Sequence, residues 1–403
     1  MHLPLFIAKR YLFAKKSHNV INIISMISAA GIAIGTAALI VILSVYNGFE
    51  GLIKSLYDVH ESDLLITPVK GKTFIPHGEV WETLRSDPSL LYLSEIVEEN
   101  IFVKYGDQES IATIKGVDST YEDNTRLNKY IKEGKFSLYH GELPQAILGR
   151  SLAYHMGLRV HFTEPLELYF PSRNRPFSMV NPASSLNNEK LFPAGIFSLE
   201  QGFDKKYIFI PISVARELLE YENEVTALEL SLKNKDEIPR FKKELRKTLS
   251  EDFHVRDRYE QNETLYKMMK SEKLSIYIIL LFVLVIISCN LFGSLSMLII
   301  EKREDTSTFK AMGAQDSMIK RIFLIEGWLI SLLGVAAGTL AGLLLCFIQQ
   351  TFGVIPMPGN FIIENYPIIV KSSDVIITVC GIALIGLLAA RLPLAIVKKI
   401  ENF

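Results

Sequence analysis

Cysteine is scarce in this 403-residue chain: Cys289, Cys346 and Cys380 are all there are. All three fall inside long apolar stretches, so neither a disulfide nor a cysteine-ligated metal is available to the polar part of the chain. They read as small apolar packing residues. Charge of one sign is lacking as well. With 43 Lys and Arg against 44 Asp and Glu the net charge is −1, which offers no electrostatic footprint for nucleic acid. Catalytic signatures are missing too. Gly71-Lys72-Thr73 looks like the end of a phosphate-binding loop, but Ile66 stands where its first glycine belongs and Phe74-Ile75-Pro76 where a helix should start. His155 and His161 have no third ligand at a metal-binding spacing. No G-x-S-x-G element occurs, and the acidic residues of the polar region show no reason to be desolvated. Covalent chemistry, a resident metal and a cofactor of its own are therefore not expected.

Charge is missing altogether from two long segments. Ser17 to Phe49 and Leu274 to Ile300 contain no Asp, Glu, Lys or Arg, and a bilayer core about 30 Å thick needs roughly 20 helical residues. Two further apolar runs, from about Ile322 to Ile348 and Val375 to Val397, carry Glu326 near the start of one and Arg391 near the end of the other. Both charges stand where a side chain can reach the interface. The expected fold is a membrane protein with four transmembrane α-helices, one plus three, and a large α+β domain between the first and second. In chain order this gives an N-terminal segment 1–20, a span 21–48, the polar domain 49–272, a span 273–300, a connecting loop 301–321, a span 322–348, an outer loop 349–373, a span 374–397 and a tail 398–403.

Basic residues orient these spans. Lys9, Arg10, Lys15 and Lys16 precede the first, Lys302, Arg303, Lys310, Lys320 and Arg321 separate the second from the third, and Lys398 and Lys399 follow the fourth. The loop 349–373 offers only Lys371. The positive-inside rule puts both termini and the 301–321 loop in the cytoplasm and the polar domain outside. The first apolar run far exceeds the core of a cleaved signal peptide and is expected to remain as an anchor.

With about 225 residues and no disulfides, the outer domain must hold together by its own core, as two subdomains. Its pattern is mixed. Strands are expected at 63–68, 96–104 and 110–117, the last two flanking a hairpin turn at Tyr105-Gly106-Asp107-Gln108, and at 145–148, 191–198, 207–210, 227–232 and 253–256. Helices are expected at 79–86, 150–156, 213–220 and 238–249. One stretch breaks the pattern. Pro171 to Asn188 is rich in proline, serine and asparagine and reads as a protruding loop. It is either an ordinary solvated loop or a docking element, since Arg173, Arg175, Phe177 and Met179 combine fork-shaped donors with apolar groups.

On the cytoplasmic side, 302–312 reads as a short helix stopped by Gly313, with Thr306, Phe309, Lys310 and Met312 available to a partner. At the outer boundary, Asn262 to Ile300 has few helix breakers and reads as one helix entering from a stalk. Val45, Tyr46, Phe49, Leu52 and Ile53 continue the first span outward, opposite Leu265, Met268 and Met269. These apolar groups either pack together or form an adaptable wall for acyl chains.

Three stretches make the chain recognisable. Phe6-Ile7-Ala8-Lys9-Arg10-Tyr11-Leu12, the run from Ile24 closing in Ser44-Val45-Tyr46-Asn47-Gly48-Phe49-Glu50, and Glu301-Lys302-Arg303 with Lys310-Ala311-Met312-Gly313-Ala314 resemble the LolC/LolE permeases of the lipoprotein-releasing ABC transporter. The third stretch is shared with the wider FtsX and MacB group. The resemblance implies a multi-pass protein of the bacterial inner membrane with its large domain in the periplasm, paired with a second permease copy or paralogue. It further implies two LolD-like ATPase subunits that bind the ATP, a lipoprotein substrate drawn from membrane lipid, and a LolA-like periplasmic carrier. On it, Glu301, Lys302, Arg303, Phe309, Lys310, Met312, Gly313 and Ala314 would couple to the ATPase. Val45, Tyr46, Phe49, Ile53, Leu265, Met268 and Met269 would meet lipid, and the loop with Arg173, Arg175, Phe177 and Met179 would dock the carrier. Asp305-Thr306-Ser307-Thr308 departs from the aliphatic residues usual in the family. Other classes remain open: an FtsX-like transducer regulating a cell-wall hydrolase, a MacB-like export permease, or a membrane-anchored binding protein without an ATPase.

Overall fold

The structure, a computed structural model, describes residues 3–13, 19–160, 164–175, 185–357 and 365–400. It divides into two compact units: residues up to Leu52 and from Met268 onward are helical, and Ile53–Lys267 is built on a sheet. Four helices among the described residues are long and apolar enough to cross a membrane, Ile23–Tyr57, Glu263–Glu301, Asp316–Phe352 and Ser372–Arg391. The first belongs to a helix that runs Asn19–His60 and the fourth to one that runs Ser372–Ile400. A shorter helix, Leu3–Phe13, precedes them.

Ile32, Leu39 and Leu43 of the first long helix, Leu280, Ile287, Leu291 and Leu295 of the second, Ile330 and Val335 of the third and Ile382, Ala389 and Ala390 of the fourth share one buried cluster. Lipid is as apolar as leucine, so close backbone approach and polar contacts must hold such helices together. Both are present. Gly334, Gly338 and Gly342, spaced by four, meet Ala29 and Ile32, then Ala33 and Thr36, then Ala37 and Ile40 of the first helix, leaving no room for a Cβ without displacement. Ser28 donates to Ser294 across the first and second helices. Glu326 departs from expectation. Instead of reaching the interface it is 1 % exposed, because its position on the third helix faces the bundle. Of the cysteines, Cys346 packs beside Ile40 and Ile368, whereas Cys289 and Cys380 lie on outward faces, so packing describes only the first.

The sheet-based unit has eleven strands among the described residues: β1 Leu64–Pro68, β2 Leu90–Tyr105, β3 Gln108–Val117, β4 Ile131–Gly134, β5 Tyr139–His140, β6 Leu143–Gly149, β7 Leu166–Pro171, β8 Leu186–Phe197, β9 Tyr207–Pro211, β10 Ala227–Leu232 and β11 Phe253–Asp257. Their order is β11-β1-β10-β2-β3-β9-β6-β8-β4, with β5 on β6 and β7 joining β2 to β8. Most pairs are antiparallel; β3 with β9 and β6 with β8 are parallel. That is an α+β sheet rather than a doubly wound one. β2 and β3 form the expected hairpin around Gly106. The sheet carries separate cores: Leu228, Leu230 and Leu232 pack with Trp81, Leu84 and Leu245, while Val97, Ile114, Leu168 and Leu218 centre another.

Two readings change here. The loop foreseen at 171–188 is shorter, because Pro171 pairs with Leu186 and the register runs on to Leu166 opposite Leu191. β7 pairs on one side with β8, the next strand of the chain, and on the other with the distant β2. Acidic groups are also desolvated after all. Asp63, Asp204 and Glu229 are buried: Glu229 stands on β10, all of whose residues are covered, while Asp63 precedes β1 and Asp204 ends the short helix Gln201–Asp204.

Candidate functional site

The segment between the second and third long helices builds itself from local signals. Lys302, with φ −86 and ψ 16, ends the second long helix, and a separate helix Arg303–Ala311 follows, capped by Met312. Gly313 turns the chain at φ 88, a backbone that an L side chain resists, and the third long helix begins at Asp316. Lys302 does not face outward. Its Nζ lies 3.0 Å from Asp305 and 4.6 Å from the centre of the Tyr11 ring, and the Tyr11 hydroxyl donates to the same carboxylate at 3.0 Å. The departing residue Asp305 thereby ties the helix Leu3–Phe13 to this segment. Thr306, Ser307 and Thr308 donate to carbonyls one turn back, at 2.9, 3.1 and 3.1 Å. Lys310 pairs with Asp316 at 3.2 Å. Glu301, Phe309 and Ala314 are partly covered, while Arg303 and Gly313 are exposed and Met312 is 78 % exposed.

At the other end of the first long helix, the motif from Ser44 to Glu50 is a packing hub. Tyr46 donates to the Met269 carbonyl at 2.9 Å, Asn47 to Asp374 at 2.6 Å, and the Ile369 amide to the Ser44 carbonyl at 3.0 Å. Phe49 meets Tyr366 edge-on with ring centres 5.6 Å apart. Glu50 lies 3.8 Å from Lys273 and 3.5 Å from Lys371. A Cβ at position 48 would run into the Pro367 carbonyl, which is why glycine stands there. Tyr46 and Phe49 are half-buried, as are Val45, Ile53 and Leu265. Met269 is buried, and Met268 is exposed. The methionines thus divide, Met269 buried beside the hub and Met268 open at the surface.

The arm between β7 and β8 starts from fixed groups. Ser172, Arg173 and Asn174 all donate to the Glu220 carboxylate, and Arg175 donates to Asn187. Arg173 and Arg175 are exposed. Phe177 and Met179 lie outside the described residues, as does His161; His155 is exposed at a helix end.

Sequence reasoning missed the buried charges. Lys115 on β3 contacts Glu229 on β10 at 2.7 Å with side chains 6 % and 8 % exposed, and its Nζ lies 5.0 Å from the centre of the Tyr121 ring. Burial alone would pull Lys115 down, but the Glu229 carboxylate, with Tyr121 and Glu98 beside it, holds it well above the ordinary lysine range. Asp63 accepts from Arg258 at 2.8 Å, Ser231 at 2.8 Å and the Leu232 amide at 3.0 Å. The only signal was alternation in Ala-Leu-Glu-Leu-Ser-Leu, which does not say whether the polar face is wet. Among the described residues no group of three His, Cys, Asp or Glu could hold a metal ion.

Residues 25–248 match the MacB-like periplasmic core domain family, and residues 277–401 match the FtsX-like permease C-terminal family. Full-length relatives agree. The chain is 23 % identical to the lipoprotein-releasing system transmembrane protein LolE of Haemophilus influenzae, covering 100 % of this chain and 98 % of that one. It is 26 % identical to the LolC protein of Neisseria meningitidis over 94 % and 92 % of the two chains. It is 28 % identical to LolC of Buchnera aphidicola subsp. Schizaphis graminum over 87 % and 86 %.

Proposed function

We infer the function from the family to which this chain belongs, the LolC/LolE permeases with their MacB-like periplasmic core and FtsX-like C-terminal region: it is the permease of a lipoprotein-releasing ABC transporter. In this reading a separate LolD-like ATPase binds and hydrolyses ATP, and the permease uses the resulting motion to extract lipoproteins from the inner membrane. A LolA-like carrier then receives them. Both termini and the 301–315 segment are cytoplasmic, and the sheet-based unit is periplasmic, in a one-plus-three arrangement of spans.

The observation that carries the coupling is the exposed Met312 beside the Gly313 turn, on a short helix that leads directly into two spanning helices. Arg303 adds a charge to the same surface, while Lys302 and Asp305 fix the helix from behind against Tyr11. The first and second long helices run unbroken for 42 and 39 residues, which suits them to carry displacement along their axes. Two states that differ in affinity for lipid complete the mechanism. Met268 and the half-buried Val45, Tyr46 and Phe49 are the residues offered to acyl chains.

The test is Met312→Glu in the full transporter. A carboxylate forced into a desolvated contact costs several kcal/mol. The variant should insert and fold normally, yet lose co-purification with the ATPase and fail to release lipoprotein. Wild-type release with the ATPase still bound would remove the coupling assignment. Co-purification of a cell-wall hydrolase regulator in place of lipoprotein would favour the transducer reading.

A further inference from the structure

Three hydrogen bonds at the start of the arm converge on one residue, beside the bond from the Ser172 amide to the Ser185 carbonyl. Glu220 follows the helix Ile212–Leu219 with φ 56 and ψ 45, and among the described residues it is the one non-glycine residue with positive φ. Its amide and that of Tyr221 close the helix end by donating to the Glu217 and Arg216 carbonyls at 3.2 and 2.8 Å. Glycine normally occupies this position, because a Cβ crowds the neighbouring carbonyl. Glutamate adds a carboxylate. One oxygen accepts from the Ser172 hydroxyl at 2.7 Å, the other from the Arg173 and Asn174 amides at 2.7 and 3.2 Å.

The two arginines beyond it are set by the same helix end. The Arg173 guanidinium stands 4.3 Å from the centre of the Tyr221 ring. Arg175 donates to the Asn187 side chain at 2.6 Å, and the Asn187 amide donates in turn to the Leu218 carbonyl at 3.1 Å. We propose that Glu220 is a positioning residue, which latches the first turn of the arm so that Arg173 and Arg175 present a fixed pair of guanidiniums to an acidic protein surface. That role explains a glutamate standing where the backbone favours glycine.

Guanidinium forks recognise carboxylates through geometry as much as charge, so fixing their direction lowers the cost of docking. The Ser172 hydroxyl, followed by the Arg173 and Asn174 amides, holds the Glu220 carboxyl below the usual glutamate range, and the latch is therefore closed at neutral pH. The docking half of this inference rests on the arm being the carrier contact; the latch does not.

Trypsin, which cleaves after Arg173 but not at the Arg175–Pro176 bond, is the first probe, applied to the full-length protein. Glu220→Gly removes the backbone strain and the latch together. It should keep or raise the thermal midpoint while accelerating cleavage after Arg173 about tenfold. Glu220→Gln, which retains a weaker acceptor, should fall between. Cleavage at the wild-type rate overturns the latch, and so does a lowered midpoint with faster cleavage throughout, which would mark a merely structural residue. Binding of a LolA-like carrier is the second measurement, and Glu220→Gly should weaken it about tenfold. Faster cleavage with unchanged carrier binding would overturn the docking role and locate the failure in the carrier assignment.

Discussion

Along the third long helix the backbone itself approaches its neighbour, at Gly334, Gly338 and Gly342, whereas in the sheet-based unit the interior holds a charged pair, Lys115 with Glu229. The difference follows from what surrounds each unit. Water drives apolar side chains out of contact with itself, so a sheet covered on both faces can carry a few buried charges provided each has a partner. A bilayer provides no such drive, and a buried polar group must be matched by small residues, hydroxyls and close backbone contact. Glu326 is the exception on the helical side: its carboxyl is inside the bundle, near Lys302.

The largest expected effect breaks the charged pair. Lys115→Met leaves the Glu229 carboxylate buried and unpartnered and should destabilise the sheet-based unit by about 3–5 kcal/mol. The double variant Lys115→Met with Glu229→Leu should recover most of that. One tryptophan lies in each unit, Trp81 and Trp328, so denaturation of single-tryptophan versions shows which unit is lost. Equal destabilisation by single and double variants would mean that packing, not charge, governs the site.

A smaller effect is expected where backbone approach does the holding. Gly338→Val places methyl groups against the Ala33 carbonyl and Thr36 and should cost about 1–3 kcal/mol by overpacking. The Trp328 signal in detergent should report it, with Trp81 unmoved. An unchanged Trp328 transition would show that the glycine ladder is not a tight interface.

The smallest change is Tyr11→Phe, which removes the hydroxyl that donates to Asp305 and leaves the ring beside Lys302. A loss of about 0.5–1.5 kcal/mol is expected, confined to the Trp328 transition. Its value is as a control for coupling: if ATPase association weakens far more than stability does, the N-terminal helix is part of the docking surface and not only its support.

Much of the architecture was legible from the chain alone. Long apolar runs, two of them wholly uncharged, marked the four apolar helices, because a bilayer-length apolar segment has few other stable fates. Alternation and turn residues gave the hairpin at Gly106 and the strand at 227–232. The Gly313 stop placed the short helix to within a residue at each end. What the sequence could not specify is which polar positions are dry. The alternation in β10 reads as a half-wet strand, and only the packing of distant elements on its second face makes Glu229 a buried partner for Lys115. Tyr46 reads as part of an apolar wall, and Asn47 and Glu50 only as members of a motif, until Met269, Asp374, Lys273 and Lys371 are brought to them. Local periodicity is fixed by the few residues around each position, and so it can be read in one dimension; burial and partner choice depend on segments hundreds of residues away, and only the tertiary structure brings those together.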